Sequence, residues 1–221
     1  MKTLPKQNND SSISITAGSV QLTGNLVIPT NAQGIVLFAH GSGSSRRSPR
    51  NRYVAEVLQE ACLATFLFDL LTVEEEQIDQ LTRRLRFDIG LLTDRLIRAT
   101  DWIRQNPTTR QLKIGYFGAS TGSAAALMAA AECPDAVSAI VSRGGRPDLA
   151  GSTLTRIKVP TLLIVGGDDT PVVALNQKAY QYIPAEKHLK IIPGATHLFE
   201  EPGTLEQVAQ LASQWFRKYL T

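Results

Sequence analysis

From Gly34 onward the chain alternates two kinds of segment. Short, mostly apolar runs, GIVLFAH (34–40), LATFLFDLL (63–71), LKIGYFGAS (112–120), AVSAIVSRGG (136–145), PTLLIVGGDD (160–169) and HLKIIPGATH (188–197), are separated by stretches with apolar residues at helical spacing. Continuous apolar runs are the signature of strands buried on both faces, and their alternation with helices builds a mainly parallel sheet covered on each side. Before Gly34 the pattern differs. SISITAGSVQLTGNLVIP (12–29) alternates apolar and polar positions around Ala17-Gly18-Ser19, which predicts an antiparallel hairpin. Residues 1–12 are polar and predict a loose tail, leaving 13–221 as a single domain.

The helices follow from the same reading. One is expected from Pro49 to Ala61, and a long amphipathic one over 82–106, with Leu85, Ile89, Leu92, Leu96, Ala99 and Ile103 on one face. An alanine-rich helix follows Ser120, another spans PVVALNQKAYQYI (171–183), and the last spans 204–220, with Thr204 and Gln207 spaced as a capping box. The acidic run LTVEEEQID (71–79) reads as a solvated loop and helix start.

Composition narrows the function classes. Of 221 residues, 43% are hydrophobic and 19% charged, enough for one sizeable core. A net charge of +3, with arginines scattered, gives no footprint for nucleic acid. No apolar run approaches the ~20 residues of a membrane span, and no signal-like segment follows the first lysines, so a cytoplasmic address is expected. Cys62 and Cys133 have neither metal nor CxxC spacing.

One stretch carries chemistry. In KIGYFGASTGSAAAL an apolar strand meets an alanine-rich helix at Gly118-Ala119-Ser120-Thr121-Gly122, the G-x-S-x-G pattern of a nucleophile elbow. The flanking glycines lack Cβ atoms, so strand and helix can close around a raised hydroxyl. A serine hydroxyl is a weak nucleophile near pH 7 without a base, and histidine titrates in the useful range. Of three histidines, His188 lies between Lys187 and Lys190 and reads as a surface imidazole, while His40 heads a glycine-rich loop and reads as structural. His197 falls in PGATHLF after the last strand, at the same sheet edge as Ser120. A carboxylate must orient the base, and Asp168 and Asp169, after LLIVGG, both qualify. Oxyanion donors are expected from the Thr121 N–H and from the loop HGSGSSR, where Ser42 is favoured and Gly43 lies close behind.

With these motifs the chain resembles the α/β-hydrolase superfamily, and within it the dienelactone hydrolase-like proteins. The order Ser, Asp, His is that of the superfamily, and the likeness is carried by FAHGSGSSR, LFDLLT, YFGASTGSAAAL, LLIVGGDDTPV and IPGATHLFEEPGTLEQVAQLASQWF. It implies an eight-stranded, mostly parallel sheet with an antiparallel first hairpin. The family pattern G-x-x-D-x-x-V falls on Gly166 to Val172 and implies Asp169 as the triad carboxylate. Dienelactone hydrolases proper have cysteine in the elbow, so their substrate does not carry over to Ser120. SRGGRPDLAGSTLTRIKVP (142–160) is too short for a helical cap, which implies an open site.

The expected function is hydrolysis of a small ester or thioester without metal or organic cofactor. Arg46 and Arg143 are candidates to bind an anionic substrate at the rim, where the alternative is pairing with nearby acids such as Glu56 and Asp148. Two other readings stand beside hydrolysis: a non-catalytic module binding a small ligand, and acyl transfer to an acceptor other than water.

Overall fold

The computed structural model describes residues 11–221. Eight strands form one sheet: β1 (Ser11–Ala17), β2 (Val20–Val27), β3 (Gly34–Ala39), β4 (Leu63–Phe68), β5 (Lys113–Ala119), β6 (Ala139–Arg143), β7 (Thr161–Gly166) and β8 (Lys187–Ile192). Their spatial order is β1-β2-β4-β3-β5-β6-β7-β8. β2 runs antiparallel to both of its neighbours, and every pairing from β4 to β8 is parallel. This is the sheet that the α/β-hydrolase resemblance implies. The six helices are α1 (Pro49–Glu60), α2 (Val73–Thr82), α3 (Ile89–Gln105), α4 (Thr121–Glu132), α5 (Thr170–Tyr182) and α6 (Thr204–Leu220).

The strand period of two explains the apolar runs. Ile35 and Leu37 of β3 join the core against α3 and α4, whereas Val36 and Phe38 point to the opposite face, against α1 and α6. Each central strand therefore needs apolar residues at both parities. β8, at the edge, is the exception. Its burial alternates, and His188 stands exposed with its ring edge-on to Trp215 at 5.3 Å.

Four local expectations need correction. β1 already begins at Ser11, where backbone pairing with Leu26 takes two residues from the expected tail; the rest of that tail, 1–10, lies outside the described residues. The acidic run holds the expected helix start, but of a separate helix, α2, and not of the long one. Thr72 Oγ1 accepts the Glu75 N–H at 3.2 Å and Glu75 Oε2 accepts the Thr72 N–H at 2.8 Å, a complete capping box. The expected long helix starts only at Ile89, because the chain reverses at Arg83 (φ 54°) and Asp88 caps α3 by accepting the Leu91 N–H. At α6, Gly203 (φ 80°) occupies the cap and Thr204 Oγ1 donates backwards to the Glu201 carbonyl, so no capping box forms there.

Between β6 and β7 the chain makes a 3-10 segment, Pro147–Arg156, and no helical domain is inserted over the sheet edge. Among the described residues no helix is long and apolar enough to cross a membrane, and no group of three His, Cys, Asp or Glu side chains could hold a metal ion.

Candidate active site

A single residue, Ser120, separates β5 from α4, and its backbone sits at φ 50°, ψ −120°. A side chain in that region costs of order 1–3 kcal/mol and persists only where the surroundings hold it. Here the Ser120 N–H donates to the Arg143 carbonyl at 3.2 Å, and the Ser120 carbonyl accepts the N–H groups of Ser123 and Arg146, each at 3.1 Å. The flanking glycines explain themselves. A Cβ on Gly118 would lie 2.5 Å from Ser123 Cα, and one on Gly122 would lie 2.1 Å from the Ala39 carbonyl oxygen. Both obstacles are backbone, so Gly122→Ala is expected to cost about 3 kcal/mol, at the upper end of overpacking penalties. Urea unfolding measures this; a loss below about 1 kcal/mol would mean that β3 can move away from α4.

Asp169 ends the turn after β7 and occupies the cap position of α5, where its carbonyl accepts the Val173 N–H at 2.9 Å while its side chain caps no N–H. Its Oδ2 instead accepts a hydrogen bond from His197 Nδ1 at 2.6 Å. With Nδ1 holding the proton, the lone pair lies on Nε2, the form a general base needs. Asp168, the other candidate carboxylate, is exposed, and only its N–H is engaged, by the Ala195 carbonyl at 3.0 Å. The structure thus pairs Asp169, and not Asp168, with His197.

The loop bearing His197 is braced from both sides. Thr196 donates through its N–H and its hydroxyl to Glu201, and these bonds hold the Glu201 carboxyl below the usual range. Glu201 is a site residue that sequence reasoning missed, since only the folded loop shows its bonds. Phe199, buried at φ 57°, anchors the far end. His197 packs at the end of β6, where a Cβ on Gly144 would be 3.6 Å from His197 Cε1, one residue beyond the carbonyl that holds Ser120. No hydrogen bond joins Ser120 Oγ to His197 Nε2; such contacts are commonly long in unliganded sites and tighten on binding.

The loop after β3 closes over the elbow. A Cβ on Gly41 would meet Ser120 Cβ at 3.1 Å. The Ser42 N–H, expected to face a substrate oxyanion, donates to Thr121 Oγ1 at 2.9 Å, while Gly43 turns the chain at φ 68°. The Thr121 hydroxyl is thus a second participant that the motif did not reveal.

His40 pins this loop. Its Nδ1 donates to the Gly41 carbonyl at 3.0 Å and its Nε2 accepts the Leu70 N–H at 3.0 Å, an arrangement only the neutral ring can make. Burial pushes its pKa below 6.5, outweighing the opposing pull of the Gly41 carbonyl, Asp69 and Glu76. In this depressed state the unfolded chain binds more protons, so the stabilisation is complete above about pH 6.5 and is lost as pH falls through the folded pKa. The melting temperature of wild type should therefore fall more between pH 7 and 5 than that of His40→Asn, which does not titrate; parallel curves would refute the assignment.

The arginines depart from expectation. Arg46 is not a free rim cation: its side chain pairs with Asp69 and donates to Asn25 Oδ1 at 3.0 Å, and its N–H donates to Asp69 at 2.7 Å. It clamps the loop to β2 and the end of β4 through its Nε and Nη1. Arg146 is bidentate on Asp148, both bonds at 2.8 Å. Arg143 is buried and not on the rim, without a carboxylate partner among the described residues. Arg86, which the sequence did not single out, lies against Gly43 and is paired with the buried Asp79.

An eight-stranded sheet of this order, with a strained serine at the end of β5 and an Asp–His pair on the following loops, is that of an α/β hydrolase. The particular family follows from the sequence: the dienelactone hydrolase family matches residues 22–220, and the chain belongs to it. A dienelactone hydrolase from Anabaena variabilis, solved as a crystal structure, is 66% identical, with TM-score 0.94 over 96% of this chain and 98% of that one. The Pyrococcus furiosus esterase Pf2001 shares the fold at 18% identity, with TM-score 0.76 over 100% of this chain and 98% of its own. A Mycobacterium tuberculosis protein named "Putative phosphoribosyl transferase" is 58% identical over 96% of this chain. The match covers 47% of that protein, so this chain spans about half the length of the curated relatives it matches.

Proposed function

We propose that this chain is a serine hydrolase that cleaves a small carboxylic ester or thioester through an acyl-enzyme on Ser120. The observation that carries the reading is the 2.6 Å bond from His197 Nδ1 to Asp169, on the loops that flank the Ser120 elbow. In the proposed reaction His197 Nε2 takes the Ser120 proton as Oγ adds to the carbonyl carbon, and Asp169 stabilises the imidazolium. The tetrahedral oxyanion takes the Thr121 N–H, and the Ser42 N–H turns to it from Thr121 Oγ1. His197 then gives the proton to the leaving alcohol or thiol. Water, deprotonated by His197, repeats the addition and releases the acid. This chemistry uses no metal or organic cofactor.

The transferase name belongs to a protein about twice as long, and the half aligned with this chain corresponds to the region in which the hydrolase family is matched. We therefore propose acyl chemistry for this chain and draw no phosphoribosyl transfer from that name. Rapid mixing with 4-nitrophenyl acetate tests the reading: a burst of nitrophenol stoichiometric with enzyme is expected, followed by slower turnover. Hydrolysis no faster than that of Ser120→Ala would instead favour the binding-module reading.

A further inference from the structure

Arg143 is the least expected charge in the fold. It ends β6, its own carbonyl holds Ser120, it is only 7% exposed, and its Nε has no hydrogen-bond partner among the described residues. Its guanidinium reaches Asn51 Oδ1 at 3.4 Å and lies 5.9 Å from the centre of the Phe199 ring. A buried guanidinium is ordinarily paired, because desolvating an uncompensated charge is expensive. In place of an acid, its charged neighbour is a second arginine, Arg50. Burial first, and the Arg50 charge second, push Arg143 down to about 10.

The surroundings add more positive potential. Arg50 and Asn51 belong to the first turn of α1, which holds no acidic residue to offset the positive helix end. Ser48 caps that end by accepting the Asn51 N–H at 3.4 Å, a neutral partner. Arg50 Nε is also buried without a partner among the described residues, and Arg50 Nη1 pairs with the solvent-exposed Glu200 at 3.0 Å. Set against the Glu200 carboxylate, Arg143, Arg50 and about half a charge from the helix end leave an excess between one and two positive charges. Arg50 and Arg47 also line a cavity of about 660 Å³ that runs along the loop after β3 and whose far wall carries Glu76 and the Arg46-paired Asp69.

We propose that Arg143 and Arg50, with the N-terminal turn of α1, form a site for a dianionic phosphate group, and that the ester or thioester cleaved at Ser120 carries that group. Buried guanidinium forks with unused Nε–H donors suit tetrahedral oxyanions, and a phosphate group, carrying about −1.5 to −2 near pH 7, offsets that excess more completely than a carboxylate would. The second half of the proposal rests on the hydrolase reading; the site itself does not. It assigns to Arg143 and Arg50 the role that the loop arginine Arg46, clamped by Asp69, does not fill.

Binding is measured on Ser120→Ala protein, where turnover plays no part. Inorganic phosphate is titrated against it at constant ionic strength, with acetate as the monoanionic comparison and amide chemical shifts as the readout. Saturable phosphate binding, tighter than acetate, is expected, weakened about tenfold or more by Arg143→Gln and by the less buried Arg50→Gln. Arg143→Lys should bind in between, which separates lost charge from lost fold. Absence of saturable binding, equal affinity for acetate, or unchanged affinity in a folded Arg50→Gln would each overturn the site while leaving the hydrolase reading intact. With Ser120 intact, kcat/KM for a phosphorylated ester relative to its neutral analogue should be about tenfold lower in Arg50→Gln than in wild type. An unchanged ratio beside intact phosphate binding would detach the site from the Ser120 substrate. No hydrolysis of either ester beside phosphate binding would overturn the hydrolase reading alone.

Discussion

Removing the Ser120 hydroxyl is expected to lower kcat/KM for an activated ester by about 10⁴- to 10⁶-fold, the range for loss of a triad nucleophile. The elbow is held by backbone bonds from Ser120 to Arg143, Arg146 and Ser123, none of which uses Oγ. Ser120→Ala should therefore keep the fold and lose the chemistry. Its melting temperature should stay within a few degrees of wild type, since no cavity of consequence is made. A comparable activity in the folded variant would show that another group attacks the carbonyl.

The second large effect is at Asp169. Asp169→Asn retains a partner for His197 Nδ1 but can offer its NH₂ to that nitrogen, which turns the imidazole into the tautomer whose Nε2 is protonated and cannot act as base. A loss of about 10⁴ in kcat is expected with little change in KM, because the carboxylate acts on the base and not on bound substrate. Asp168→Asn is the internal control. Its exposed side chain makes no hydrogen bond among the described residues, so kcat should stay within about twofold of wild type. Equal losses at the two positions would contradict the role given to the Asp169–His197 bond.

The sequence was most informative where structure is local. β3 to β7 are legible because each strand is buried on both faces, and a run such as IVLF allows no other soluble reading once helical stretches flank it. The elbow is legible because its requirements fall within five residues, Gly118 to Gly122. Where two signals competed, the stronger local chemistry decided. In LTVEEEQID the charges suggested a solvated loop and helix start, and the capping-box spacing of Thr72 and Glu75 makes that start the beginning of a helix of its own, α2. At Thr204 the same spacing misled, because Gly203 already takes the cap position at positive φ.

The arginines were the least legible part. Whether Arg46 faces substrate or Asp69 depends on a contact across 23 positions, and the burial of Arg143 depends on α1 and the His197 loop closing over the end of β6. Neither is written in the residues around it. The Ser42 N–H likewise could not be traced to Thr121 Oγ1 from a motif that specifies only the backbone of the elbow.

The central claim is that Ser120 is an activated nucleophile, and intact mass after exposure to a serine-reactive fluorophosphonate tests it without knowledge of the substrate. One adduct per chain is expected on wild type, absent from Ser120→Ala and from His197→Ala. No adduct on folded wild type, or an adduct that survives in Ser120→Ala, would contradict it.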